Sequence, residues 1–514
     1  MRGPGRGVPP ASARPQLRGP GVLRQRYTRG GLSQAGQELA EETEPSSAAG
    51  PVTASSQPPE SARASRRFWS SSYLVTGFIC LQFCCQLALL VDAVSGVRVL
   101  VRVLAFGLSL ALLVLVPGRR LQHPAMPALI AAMTITALNM FNPGTSSVLA
   151  GAAQLGIQFA VLAPLFWVTR VHIDAATFRR TLALLFLFNA ASAGMGVLQV
   201  SFPGSFQPAL SKAIENLGET YTVGLQFETA GGQRIFRPFG LTDVPGGAAT
   251  GAFYAVLLGA GFLISSRRGF VKVLSLGGIF LGVVSLYLCQ VRAIALMLVV
   301  CLLAVAVVLM LSGRLLQLAK LLGVVGGLAV LGVGWGVTVG GEGAEARWNS
   351  LFEQDVSGVY YSNRGYFLEG TFIYFVPEYP LGAGLGRYGM ANSYFGANTP
   401  SRPALWAELQ WTAWVFDGGV PVLVLYPLAV LIATFWAFRL ALRRQEGDEF
   451  WLWGTLIFAY DLGALALTFS YPFFISQAGM EFWLLNAALF GAFFHANRKA
   501  PHPVPNETVH PHRR

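Results

Sequence analysis

From residue 68 onward the chain alternates long apolar runs with short polar breaks. A run of about 17 to 25 apolar residues is long enough to cross a hydrocarbon core of roughly 30 Å as a helix. About twelve such runs are present. The first five lie near Tyr73 to Val91, Val97 to Val116, Pro124 to Phe141, Val148 to Val168 and Leu182 to Val200. Four follow near Gly247 to Ile264, Val271 to Leu288, Ala293 to Leu311 and Leu321 to Val339, and three near Val420 to Ala441, Trp451 to Phe469 and Gly479 to Phe494. The pattern predicts an all-α polytopic membrane protein, with transmembrane helices 1 to 9 over residues 68–339 and helices 10 to 12 over residues 420–497.

Two stretches are too long to be simple connectors, residues 201–246 and 340–419, and segments of that length in a compact bundle are usually functional or disordered. The second, between helices 9 and 10, carries Trp348, Tyr360, Tyr361, Tyr366, Tyr374, Tyr388, Tyr394 and Trp406. That aromatic content predicts an ordered extracytoplasmic loop, and "GYFLEGTFIYFV" has the spacing of an amphipathic helix suited to a membrane interface.

Composition agrees with the membrane reading. Of 514 residues 53% are hydrophobic and 12% charged, with a mean hydropathy of +0.51, which a soluble protein of this length rarely shows. Residues 1–67 differ: rich in Gly, Pro, Ser, Ala and Arg, they cannot build a core and are expected to be a disordered cytoplasmic tail, solvated or touching anionic membrane lipid. They also lack the apolar region of a signal peptide, so the first helix is expected to remain as an anchor.

Basic residues set the orientation. Arg119, Arg120, Arg170, Arg179, Arg180, Arg267, Arg268, Lys272, Arg314, Lys320, Arg439, Arg443 and Arg444 fall in alternate connections, whereas the opposite short connections hold only Arg98, Arg102 and Arg292. The positive-inside rule then puts both termini, including the tail 498–514, in the cytoplasm and both long loops outside an inner membrane. The excess of 37 basic over 25 acidic residues follows from this topology and the tails, so no nucleic-acid partner is implied.

Absent residues bound the chemistry. Cys80, Cys84, Cys85, Cys289 and Cys301 fall in or beside the apolar runs and show no zinc or disulfide spacing. His123, His172, His495, His502, His510 and His512 all map to the cytoplasmic side, so neither a histidine metal site nor a Ser-His hydrolase is expected outside. No cofactor or metal is called for. The outer groups with useful chemistry are Arg234, Arg237, Asp243, Arg292, Arg347, Arg364, Glu369, Glu378, Arg387, Arg402, Glu408 and Asp417. Arginine's planar fork suits phosphate oxygens and stays charged, and carboxylates are the available bases.

Four stretches carry a resemblance. "RPFGLTDVPGGAA" begins at Arg237, "CQVRAIAL" contains Arg292, Arg364 precedes "EYPLGAGLG" at a loop-like spacing, and "ELQWTAWVFDGG" runs from Glu408 to Gly419. In order and placement these resemble the O-antigen ligase and O-antigen polymerase superfamily, over roughly residues 68 to 497. The resemblance departs at three places: Gly246 stands where asparagine is common, Glu408 where ligases of the family carry histidine, and Leu409 where a polar residue follows that histidine.

What the resemblance implies is a metal-independent, inverting membrane glycosyltransferase that moves a glycan from a polyprenyl diphosphate carrier to an acceptor hydroxyl on a glycan, lipid or protein. Arg237, Arg292 and Arg364 would hold the diphosphate, and Glu408 would position or deprotonate the acceptor. Arg387, Tyr366 and Tyr388 would line the glycan path, with Asp243 beside the substrate. The missing histidine favours a polymerase over a ligase. Plainer readings stay open: Arg292 as a helix end, Arg237 and Arg364 paired with Asp243 or Glu369, Glu408 as a solvated acid, and "PLGAGLG" as an ordinary turn. A transporter or flippase of lipid-linked glycans is the alternative, although such carriers tend to place polar groups near the midplane of several helices. Here Asp461 is nearly alone, and it is left out of the site.

Overall fold

The computed structural model describes residues 72–118, 121–210, 219–229, 231–353, 355–443 and 449–499. The tail expected over residues 1–67, Arg119, Arg120, Arg444, residues 211–218 of the first long loop and residues 500–514 lie outside the described residues.

Helices form wherever the apolar runs predict them. They are α1 (Tyr73–Ala88), α2 (Arg98–Leu115), α3 (Met126–Leu138), α4 (Val148–Trp167), α5 (Ala175–Ser201), α6 (Ala248–Ser265), α7 (Gly269–Cys289), α8 (Arg292–Leu311), α9 (Leu315–Glu353), α10 (Gln410–Ala441), α11 (Phe450–Leu467) and α12 (Gln477–Lys499). Among the described residues nine helices, α2 and α4 through α11, are long and apolar enough to cross a membrane, while α1 and α3 are shorter apolar helices. Apart from one small antiparallel hairpin, β1 (Gln226–Glu228) with β2 (Arg234–Phe236), the described chain is an all-α polytopic membrane protein.

Side-chain caps fix two helix starts where the sequence offers a short polar residue. Ser147 accepts from the Ala150 N–H at 3.0 Å to open α4, and Asp174 accepts from the Thr177 N–H at 2.8 Å to open α5. Helix α6 is buried at Ala248 and Ala249 and from Gly251 to Phe262, which makes it a central element of the bundle. Its many small residues let α5 and α7 pack closely on either side. By contrast α2 and α9 bury only a narrow stripe, and their remaining apolar surface suits lipid.

The connections α1–α2, α3–α4, α5–α6, α7–α8, α9–α10 and α11–α12 share one end of the bundle, the loop end, which carries both long segments. Each edge of the segment 340–419 falls on a glycine break inside a longer helix. Gly341 (φ 68°, ψ −171°) interrupts α9, which then runs on to Glu353. Gly419 (φ 64°, ψ −151°), next to Gly418, interrupts α10 in the same way. So this long segment starts and finishes as helix, redirected by residues that adopt positive φ without penalty.

Candidate functional site

The stretch holding Arg364 is helical, with α-turns alternating with π-turns at Tyr361–Gly365 and Thr371–Phe375. Insertions of this kind inside helices recur at functional sites. Phe372, Ile373, Tyr374 and Tyr366 are exposed on it, as an amphipathic helix at an interface would require. The Tyr366 ring packs against Phe367, at 4.0 Å between centroids.

Arg364 reaches three segments. Its Nη1 lies 2.5 Å from Oε1 of Glu408, its Nε donates to the Ser470 carbonyl at 3.0 Å, and Nη1 also donates to the Asn363 carbonyl at 3.1 Å. The other Glu408 oxygen, Oε2, accepts from the Trp406 indole N–H at 2.7 Å. Neither partner is sealed off: 38% of the Arg364 side chain and 19% of the Glu408 side chain remain accessible. Arg364 thus pairs with Glu408, whereas Glu369 accepts from the Tyr361 hydroxyl.

Local anchoring explains why Glu408 sits there. Immediately after it Leu409 is wholly buried, and Gln410 donates its backbone N–H to the Thr468 carbonyl at 3.2 Å while its side-chain oxygen accepts from the Phe474 N–H at 2.7 Å. Trp411 adds a bond from its indole N–H to the Thr468 hydroxyl at 3.2 Å. The start of α10 is therefore stitched to the α11–α12 connection, the same strip that receives Arg364.

A second group of arginines gathers at the loop end of α7. The segment from Arg237 to Gly240 is fixed by Gln199 of α5, whose side-chain oxygen accepts from the N–H groups of Phe239 and Gly240, both at 2.8 Å. Arg237 donates to the Gly224 carbonyl at 2.8 Å and lies close enough to Cys289 at the end of α7 to act on it electrostatically. Arg292 opens α8 two residues after Gln290, which has a left-handed backbone (φ 56°), and it donates to the Arg347 carbonyl. The Arg347 guanidinium is within electrostatic reach of both Arg237 and Arg292. Beside it Trp348 donates to the Tyr287 carbonyl of α7 at 3.0 Å and stacks on the Tyr287 ring.

Helix packing relates the two groups. Gly463 of α11 lies against Met297 of α8, and Cys301 donates to the Ala459 carbonyl at 3.1 Å, so α8 and α11 run antiparallel in contact. Arg292 at the start of α8 and Ser470, just beyond the end of α11, therefore stand at the same end of adjacent helices.

The remaining sequence candidates take other positions. Asp243 pairs with Arg102 of α2 and not with Arg237. Arg387 is 5% exposed and is spent on backbone: it donates to the Ala383 carbonyl at 3.1 Å and twice to the Pro403 carbonyl, at 3.2 and 3.0 Å. Tyr388 is buried and donates to Oδ1 of Asp417 at 2.8 Å. Burial, then the Asp417 carboxylate, pushes its phenol well above the ordinary tyrosine range, so it remains a donor.

These last contacts belong to a polar knot that joins Tyr388 and Asp417 to Gln154, Asn139 and Asn142, which the sequence reading does not single out. Asp417 also accepts from the Gln154 amide at 2.5 Å, and the Gln154 oxygen accepts from the Gly386 N–H, again at 2.5 Å. Asn139 donates to the carbonyls of Phe416 and Asp417, and Asn142 to that of Gly382. Through this knot the "PLGAGLG" turn is pressed onto the α3–α4 connection. Gly384 has φ +88°, and a Cβ there would lie 2.3 Å from the Thr145 nitrogen; at Gly419 it would lie 2.1 Å from the Pro380 oxygen. The available signal was Gln154 and Gln158, four residues apart in an apolar run and so on one face of α4.

Among the described residues no group of three or more metal-binding side chains converges. His123, His172 and His495 lie at the end of the bundle away from the loops, with the His172 and His495 rings 4.2 Å apart. No family model and no curated protein matches the chain.

Proposed function

We propose that the chain is a twelve-span glycosyltransferase of the inner membrane, with both termini in the cytoplasm and the loop end in the periplasm. It would move a glycan from a polyprenyl diphosphate carrier to an acceptor hydroxyl, as a polymerase of exopolysaccharide or O-antigen or as a ligase. The observation that carries this reading is the accessible Arg364–Glu408 pair, a guanidinium suited to phosphate joined to a carboxylate beside a helix whose exposed face suits a membrane interface.

In this mechanism the acceptor oxygen attacks the anomeric carbon from the face opposite the diphosphate. The new C–O bond forms as the C–O bond to phosphate breaks, its electron pair leaves with the diphosphate, and the hydroxyl proton passes to Glu408. Arg364, Arg237 and Arg292 meet the charge growing on the leaving group, the kind of preorganised stabilisation that contributes most in such reactions. Donor phosphate would compete with Glu408 for Arg364, so binding itself would release the carboxylate to accept a proton. Arg387 and Tyr388 serve here by holding the loop in place, and Tyr366 remains as the aromatic face for sugar.

The test is to give purified protein a polyprenyl-diphosphate oligosaccharide in detergent. Chain extension with release of polyprenyl diphosphate, abolished in Glu408→Ala and Arg364→Ala, supports transfer. Neither product from the wild type overturns it. The flippase alternative would move the lipid-linked glycan without any bond being cleaved.

A further inference from the structure

We infer that Asp461 is held as a neutral carboxylic acid, joined to Asn486 in a cyclic acid–amide pair that ties α11 to α12 inside the bundle. This inference is independent of the proposed activity.

Both residues are completely buried. The Asn486 amide nitrogen donates to Oδ1 of Asp461 at 2.9 Å and to the Phe482 carbonyl, one turn back in its own helix, at 3.0 Å. Both of its N–H bonds are thereby used. The same two acceptors fix the orientation of the amide, because a flipped group would set its oxygen against two oxygens.

Two atoms are left over, Oδ2 of Asp461 and Oδ1 of Asn486, each without solvent access and without a donor. They belong to two planar groups already joined by one hydrogen bond. A single proton on Oδ2 of Asp461, donated to Oδ1 of Asn486, satisfies both and closes the ring in which carboxylic acids pair with amides. An unprotonated acid would instead leave a charge and an amide oxygen uncompensated in an apolar setting, the arrangement that folded proteins avoid.

Among the described residues the surroundings offer no other compensation. From α8 the facing titratable group is Cys301, whose thiol is committed to the Ala459 carbonyl at 3.1 Å. Tyr460, the chain neighbour, is engaged with the Tyr254 hydroxyl at 3.0 Å and the Ala478 carbonyl at 3.3 Å. Glu481 of α12 is occupied by Tyr254 at 2.7 Å and Gln477 at 3.4 Å. Among the described residues no arginine or lysine forms an ion pair with Asp461.

A static neutral acid is scaffold. It fixes α11 against α12 and so helps set the position of the α11–α12 connection, where Ser470 receives Arg364. It also removes Asp461 from the groups that a proton-coupled carrier would cycle.

Infrared difference spectroscopy of the full chain in detergent, wild type against Asp461→Asn, reads the protonation state directly. The expected result is a neutral carboxylic acid carbonyl band that is lost in the variant and constant from mildly acidic to mildly alkaline buffer. Because an amide N–H can replace the acid O–H, Asp461→Asn should keep the wild-type melting temperature, while Asp461→Ala lowers it by several degrees. Loss of carboxylate bands in place of the acid band overturns the inference. So does a sodium-dependent melting temperature that disappears in Asp461→Asn, or equal destabilisation by Asn and Ala.

Discussion

Arg364 and Glu408 meet at 2.5 Å, with the guanidinium also resting on the Ser470 carbonyl and the carboxylate on the Trp406 indole. If the pair works as base and phosphate ligand, its members are not interchangeable. Glu408→Gln should lower transfer by roughly 100- to 10,000-fold, and Arg364→Ala by roughly 100- to 1,000-fold. The exchanged double variant, Arg364→Glu with Glu408→Arg, should restore folding without restoring turnover, measured as released polyprenyl diphosphate. A pair that only braces the loop would recover both.

Arg347 sits within reach of Arg237 and Arg292 at the end of α7, although it lies outside the stretches that resemble the family. Guanidinium groups within electrostatic reach of one another attract an anion. Arg347→Ala should weaken donor binding by about tenfold, the lower end of what one charged hydrogen bond contributes, and should flatten the salt dependence of the donor KM. An unchanged KM would assign Arg347 to packing alone.

The knot around Asp417 makes a prediction about folding. Tyr388→Phe leaves a buried carboxylate short of one donor and should cost about 1 to 3 kcal/mol in thermal or denaturant unfolding. Gly384→Ala should do worse, because the left-handed backbone and the nearby Thr145 nitrogen leave no room for a methyl group. Arg387→Ala should lower the yield of folded protein without a selective rise in KM, in keeping with its three bonds to backbone carbonyls.

The α5 cap supplies a pH test away from the site. Hydrogen bonds from Thr177 hold the Asp174 carboxyl below the usual aspartate range. A depressed native pKa means that its contribution is present above the unfolded carboxyl range and is lost as pH falls through the native value. Asp174→Asn should remove that acid-side dependence while keeping most of the cap, and Asp174→Ala should cost about 1 kcal/mol. Melting temperature against pH in detergent is the measurement.

Hydropathy made the bundle legible, because a lipid-spanning helix must be long and apolar whatever its neighbours are. The Gly340-Gly341 and Gly418-Gly419 pairs even marked where the long segment leaves α9 and enters α10. That those segments stay helical on both sides of the break was not legible, since a glycine pair reads equally well as a helix end. Arg364 and Glu408 could be named as candidates by residue type, but not paired, since Glu369 on the same helical stretch was an equally good partner on paper. Arginine and tyrosine serve both surface recognition and buried bracing, so residue type alone suggests sugar contacts at Arg387 and Tyr388, and their burial is what distinguishes the two roles. Asp461 was readable as an anomaly in an apolar run, whereas its partner, Asn486, lies on the next helix.

Whether the loop end breaks the bond between sugar and diphosphate is decided by reconstituting the full chain in vesicles carrying a radiolabelled polyprenyl-diphosphate oligosaccharide, and following bond cleavage and sidedness in the same sample. Free polyprenyl diphosphate appearing together with extended glycan, and absent with Glu408→Gln, is the predicted result. Glycan that changes leaflet while still attached to its lipid would contradict it.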